Sequence, residues 1–143
     1  MEYCVIKPEV AGGWGEHTVV SDRSAHPPVL SKLHYEFDGW LGDVLLTSFP
    51  VFIVTESAKK KLEAMGATGV KFDEVEVSTS EQFRDIYPER KVPKFVWLKA
   101  DGKAGRDDFG IAPICRLVVS KRALDVLRSL GISHARVEEF IDT

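Results

Sequence analysis

Apolar and polar positions alternate over one long stretch of the chain. From Val29 to Phe37, Leu33, Tyr35 and Phe37 take turns with Lys32, His34 and Glu36, which predicts a strand with one face buried and the other wet or partly covered. Elsewhere the period changes to that of a helix, and it does so twice in the same way. Residues 54–75, VTESAKKKLEAMGATGVKFDEV, and residues 119–140, VSKRALDVLRSLGISHARVEEF, align without a gap at a constant offset of 65, and five of the 22 pairs are identical. In each copy a β-branched apolar run suits a buried strand, Val51–Val54 and Leu117–Val119. A hydroxyl follows at once, Thr55 or Ser120, able to accept from a free N–H of the first helical turn. Ala58, Leu62 and Met65 then share one helical face, as do Ala123, Leu127 and Leu130. Gly66 and Gly131 stop the helices and Phe72 and Val137 enter the next strand, so the repeated unit reads strand, capped helix, glycine, strand.

The remaining segments are shorter. Tyr3 to Ile6 predicts a strand, the glycine cluster from Ala11 to Gly15 a turn carrying Trp14, and Val19-Val20 a strand continuation. Ser21 to Pro28 reads as an extended loop and Val44 to Phe49 as a helical turn halted by Pro50. Ser78-Thr79-Ser80-Glu81 fits a capping box before a short helix bearing Phe83, Ile86 and Tyr87, with Pro88 as its stop. Phe95 to Leu98 is a buried strand, and Lys99 to Gly110 has the composition of an exposed loop. Helices alternate with strands while the first third looks all-β. The expected class is therefore α+β, or mixed α/β: one domain over residues 1–143, with a central, mostly antiparallel sheet and two or three short helices packed on it.

Composition narrows the function. A net charge of −3 and a pI near 5.8 disfavour nucleic-acid binding, because the main basic cluster, Lys59–Lys61, lies on a solvated helix face. Six acids against two bases between Lys71 and Glu89 offer either a solvated face or a patch that steers a basic partner. Cys4 and Cys115 form no CxxC pair, each adjoins an apolar strand, and both are expected to be small core residues. A start without a basic region and apolar run predicts the cytoplasm, and no apolar stretch suits a membrane span.

Candidate chemistry is thin. His17, His26, His34 and His134 lack metal-ligand spacing, no G-x-S-x-G elbow is present, and neither cysteine sits in a nucleophile motif. Asp73-Glu74, Asp107-Asp108 and Glu138-Glu139 are adjacent acids, a poor basis for acid–base work that needs two different environments. Neither catalytic residues, nor a cofactor, nor a metal is expected.

The run HYEFDGWLGD, the segment FPVFIVTESAKKKLEAMGATGVKFDEVEVS and the tail ADGKAGRDDFG followed by RLVVSKRALDVLRSLGISHARVEEF together resemble bacterial immunity proteins encoded beside polymorphic toxins, including relatives of the group defined by a double CxxCG motif. The likeness covers residues 34 to 140, and both CxxCG motifs are lacking, so no metal-binding feature of that group carries over. It implies a cytoplasmic, non-enzymatic protein that binds the toxin domain of a cognate effector, as a monomer or homodimer. With interfaces favouring aromatic and arginine anchors, the expected contact residues are Asp38, Trp40 and Asp43 in one loop and Arg106, Asp107 and Asp108 in another. For Trp40 the alternative is a core residue plugging the sheet end. The competing functional classes are a small hydrolase, which requires a cleft with convergent polar groups, and a non-catalytic subunit of a larger assembly.

Overall fold

The computed structural model describes residues 2–141. The first half of the chain forms β1 (Tyr3–Lys7), β2 (Gly12–Trp14), β3 (Val19–Asp22), β4 (Val29–Lys32), β5 (His34–Phe37), β6 (Leu45–Ser48), β7 (Val51–Thr55), α1 (Glu56–Ala64) and β8 (Val70–Asp73). There follow β9 (Glu76–Thr79), α2 (Glu81–Ile86), β10 (Phe95–Ala100), β11 (Phe109–Ala112), β12 (Arg116–Ser120), α3 (Lys121–Leu130) and β13 (Arg136–Glu139). The expectation of a central sheet carrying helices is overturned. The strands divide among four small sheets, and the three short helices are a minor part of a β-rich fold.

Two of those sheets have the same design, β6-β7-β10-β8 and β11-β12-β1-β13. In each, an edge hairpin leads into a helix, and the strand after the helix returns one position away, leaving a slot. The slot is filled by the first strand of the opposite unit. β10 runs antiparallel between β7 and β8, with Phe95 opposite Thr55 and Trp97 opposite Asp73. β1 runs antiparallel between β12 and β13, with Tyr3 opposite Ser120 and Val5 opposite Glu138. Thr55 and Ser120, like Asp73 and Glu138, are partners at the offset of 65, so the two sheets share one register. Even the bordering ion pairs match, Lys99 with Asp73 at 3.0 Å and Lys7 with Glu138 at 3.6 Å.

The sequence grammar of the helices explains their ends. The Thr55 hydroxyl accepts from the Ala58 N–H, and the Ser120 hydroxyl from the Ala123 N–H. Ser80, not Ser78, caps α2, because its hydroxyl accepts from Phe83; Glu81 is then the first helical residue, too early to close the expected capping box. Gly66 takes a φ of +69° and Gly131 of +117°, as helix-stop positions require. α1 and α3 touch one another, and their Ala58, Leu62, Ala123 and Leu127 share one apolar cluster with a face of each paired sheet. The outer faces differ. That of β6-β7-β10-β8 is covered by α2 and by the sheet β2-β5-β9, through Ile53, Trp97, Tyr35, Phe37 and Phe83. That of the second is a small cluster of Val5, Val118 and Ala112 with Tyr3, Ala104 and Phe140.

Three local expectations change. The Val29–Phe37 alternation is two strands, because β4 pairs with β3 in an exposed ribbon while β5 joins β2 and β9. Residues 45–48 are strand and not a helical turn, since β6 pairs with β7 across the Phe49-Pro50 turn and local propensity yields to ladder bonding. Gly12–Trp14 is a strand as well, and a Cβ on Gly12 would collide with the Glu36 carbonyl.

The exchange of inner strands has a direct consequence. Fragments 1–89 and 90–143 should each lack a cooperative thermal transition by circular dichroism, and mixing or co-expressing them should restore one. Cooperative melting of residues 1–89 alone would show that β10 is dispensable to the first sheet.

Candidate functional site

The expected contact residues scatter. Asp38 and Arg106 are exposed and Asp107 is half-buried, with its carboxylate accepting from the Lys103 amide at 2.7 Å. Trp40 is half-buried. Its ring meets Phe37 and Phe95 edge-on, its indole N–H donates to the Asp43 carbonyl at 2.9 Å, and the Arg90 guanidinium lies 4.6 Å above it. Asp43 and Asp108 depart from expectation most, being only 2% and 5% exposed. Both hold the fold together and offer no carboxylate surface to a partner.

These two acids precede the edge strands of the two units, and each clasps the loop after the other unit's helix. Asp43 accepts from the amide and the ring nitrogen of His134, both at 2.9 Å. Asp108 accepts from the Thr68 amide at 2.9 Å, the Ser120 hydroxyl at 2.6 Å and the Arg122 guanidinium at 2.8 and 2.6 Å. The Arg122 guanidinium beside it, with Ser120 and Thr68, holds the Asp108 carboxyl well below the usual carboxylate range, against the opposing effect of burial. Two of the six acids between Lys71 and Glu89 are paired in three dimensions, Asp73 with Lys99 and Glu76 with Lys32. Among the described residues Glu74, Glu81, Asp85 and Glu89 form no ion pair and Lys71 itself pairs with Asp101, so a local excess of negative charge persists.

An apolar surface gathers where the two pseudo-equivalent hairpins end. The β6–β7 turn contributes Phe49 and the β11–β12 turn Ile114, which with Val10 line a groove of about 320 Å³ floored by Ile6 and Phe52. Val10 is 66%, Phe49 63% and Ile114 90% exposed. Large apolar groups clustered in the open mark an interaction surface, whereas single ones do not. Ile114 and Cys115 also take φ of +66° and +51°, two successive left-handed residues in a three-residue turn, a conformation that Gly, Asn and Asp adopt most readily. For a β-branched isoleucine that conformation is strained, on the order of 1–3 kcal/mol, so the fold bears a cost to hold this side chain outward. Lys7 and Arg116 stand on the rim, and among the described residues no carboxylate pairs with Arg116. The sequence reading missed all three apolar residues. The available signal was an apolar residue beside proline, Phe49-Pro50 and Pro113-Ile114, between two strand patterns.

A second polar cluster arises from residues far apart in the chain. The His34 ring, buried under the 15–18 turn, stacks on His17 at 5.0 Å and contacts Ser78 and Glu76. Its Nε2 lies 2.7 Å from the Ser78 hydroxyl, and its Nδ1 lies 3.7 Å from Glu76 Oε2. The outline is that of a serine, histidine and acid triad, but the hydrogen bonds run the wrong way. The His17 amide donates to His34 Nδ1 at 3.2 Å, which places the ring proton on Nε2 and makes Ser78 an acceptor. A general base needs a free lone pair facing the serine. Glu76 is held down to about 2 by the His17 ring at 2.6 Å, then by Lys32 at 3.1 Å.

No protein-family model matches the chain, and no curated protein is significantly similar to it. Among the described residues, no helix is long and apolar enough to cross a membrane.

The Asp108 contacts set an acid limb of stability. Its folded-state pKa lies below the ordinary aspartate value of about 3.9, so the contribution is complete above that pH and drains away as pH falls toward the folded value. Asp108→Asn should flatten the loss of stability below about pH 4 in urea titrations. Asp108→Ala, which orphans the Ser120 hydroxyl and Thr68 amide, should cost about 2 kcal/mol at neutral pH.

Proposed function

We propose that this protein is an immunity protein: it binds the toxin domain of a cognate bacterial effector in the cytoplasm and neutralises it by occlusion, without turnover. The observation that carries this reading is the apolar groove at the hairpin tips, with Ile114 held outward at energetic cost. Covering three large exposed apolar side chains removes them from water, which favours association. The resemblance of residues 34–140 to immunity proteins points the same way.

The occupant is a toxin surface presenting apolar side chains with a carboxylate beside them. Phe49, Ile114 and Val10 supply the apolar anchors, and Arg116, which among the described residues has no carboxylate partner, supplies positive charge at the rim, while Lys7 is paired with Glu138. Asp38 lies close to the same face, because its amide donates to the carbonyl of Ala11, next to Val10, at 2.9 Å. Arg106 and Asp107 sit elsewhere, in the loop whose Arg106 carbonyl accepts from the Tyr3 hydroxyl at 2.7 Å. The interface is thus assigned to one end of the molecule, and Asp38 is the charged contact that remains from the sequence reading.

The test is co-expression with the toxin domain encoded by the adjoining gene, read as growth protection, together with calorimetry on the purified pair. Phe49→Asp and Ile114→Asp should each weaken binding by about thirtyfold or more, the effect of removing an anchor worth about 2 kcal/mol, with the melting temperature unchanged in the first and unchanged or raised in the second, because Asp tolerates the left-handed backbone at 114. Ile114→Asn combined with Cys115→Gly should raise stability by about 1 kcal/mol through relief of the left-handed strain while still impairing protection. Wild-type affinity in both charged variants would remove the groove from the interface. Protection at sub-stoichiometric levels of this protein would instead favour an enzyme that reverses the toxin's effect.

A further inference from the structure

We propose that His17, His34 and Glu76 form a binding site for a divalent transition-metal ion of the zinc class. One nitrogen from each imidazole and one carboxylate oxygen lie within 4.8 Å of one another. Two imidazoles and a carboxylate are a donor set suited to zinc and its neighbours and a poor one for magnesium or calcium, which prefer oxygen alone. The ring nitrogens of a tetrahedral zinc site sit about 3.3 Å apart, given bonds of about 2.0 Å. Reaching that geometry requires the His17 ring, now stacked on His34 with 28° between their planes, to turn so that both lone pairs converge on one point, and the exposed His17 side chain is free to do so.

The supporting contacts are those a metal-binding histidine uses. The Nε2–H of His34 donates to Ser78 at 2.7 Å, fixing the ring and leaving the lone pair on Nδ1, on the side of His17 and Glu76. The His34 backbone is pinned as well: its carbonyl accepts from the Gly15 amide at 2.8 Å, and its amide donates to the Thr18 hydroxyl at 3.0 Å. Gly15 is required for this, since a Cβ there would stand 2.1 Å from His34 Nδ1. Glu76 faces His34 across the parallel β5–β9 pairing, so its position is set by register. Its Oε1 is taken by Lys32 at 3.1 Å, and its Oε2 is turned to the two rings, 2.6 Å from His17 Nδ1 and 3.7 Å from His34 Nδ1.

An ion would replace the single proton that His17 Nδ1 now shares with Glu76. It would also displace the His17 amide from His34 Nδ1, a contact at 3.2 Å and therefore a long one. His17 and Glu76 keep roughly half and a third of their side-chain surface in water, leaving an open side for a solvent ligand. The other convergent group, Glu9 with Asp43 and His134, has less freedom. Its two carboxylates are buried and accept from three backbone amides, those of Leu41, Asp43 and His134, where the first site would give up one. That group is structural.

The experiment is titration of the full chain with zinc by calorimetry and with cobalt by visible absorption. One ion per chain is expected, with d–d bands of a tetrahedral or five-coordinate nitrogen and oxygen site. His17→Ala and Glu76→Gln, both surface changes, should each weaken binding at least tenfold, while His26→Ala and His134→Ala leave it unchanged. Absence of a one-to-one isotherm in the wild-type protein, or equal affinity in His17→Ala and Glu76→Gln, would overturn the assignment.

Discussion

Each half of this molecule lends its leading strand to the other. β1 completes the sheet built around α3, and β10 completes the sheet built around α1, in matching register. A strand between two neighbours satisfies its backbone donors and acceptors on both edges, and an empty slot would leave two rows of them unpaired. Neither sheet can be whole without the other half. The shared apolar cluster follows, because Cys4 and Ile6 on β1, and Val96 and Leu98 on β10, carry their buried faces into the common core.

Polar contacts repeat this reciprocity with different chemistry. Asp43 holds the loop after α3 through a histidine, and Asp108 holds the loop after α1 through a threonine, with Arg122 neutralising its charge. A buried carboxylate is tolerated only where such donors surround it, which explains why two acids in apparently exposed loops turn inward. The halves also diverge in what covers them. One outer face gained the sheet β2-β5-β9 and α2, and that added layer is where His17, His34, Ser78 and Glu76 come together.

Functional opportunity therefore sits outside the repeated core. The hairpin tips lie at the ends of the edge strands, where sequence is freed from ladder bonding, and two apolar side chains there meet a third from the segment after β1. The two hairpins carry this surface, and the strain at Ile114 is borne by the β11–β12 pairing behind it.

Much of the local structure could be read from the chain alone. Thr55 and Ser120 as caps, the faces of α1 and α3, and the strands that flank them are set by side-chain periodicity and by hydrogen bonds three residues away, both properties of contiguous sequence. What periodicity cannot carry is pairing between strands. The division of Val29–Phe37 into two sheets, the strand at Leu45–Ser48 and the exchange of β1 and β10 depend on which strand lies alongside, a near neighbour for β4 and β6 and a distant one for β5, β1 and β10. The same limit governs the sites. Asp43 and Asp108 are indistinguishable in sequence from solvated acids until His134 and Arg122 are brought beside them, and residues 17, 34 and 76 have no spacing in common. The chain by itself determined the capped helices and the apolar strands beside them, because neighbouring residues decide those; only the tertiary structure decided the strands at residues 12–14 and 45–48, which charges are inside and which apolar groups are out, because pairing and burial are set by whatever the rest of the chain brings alongside or leaves uncovered.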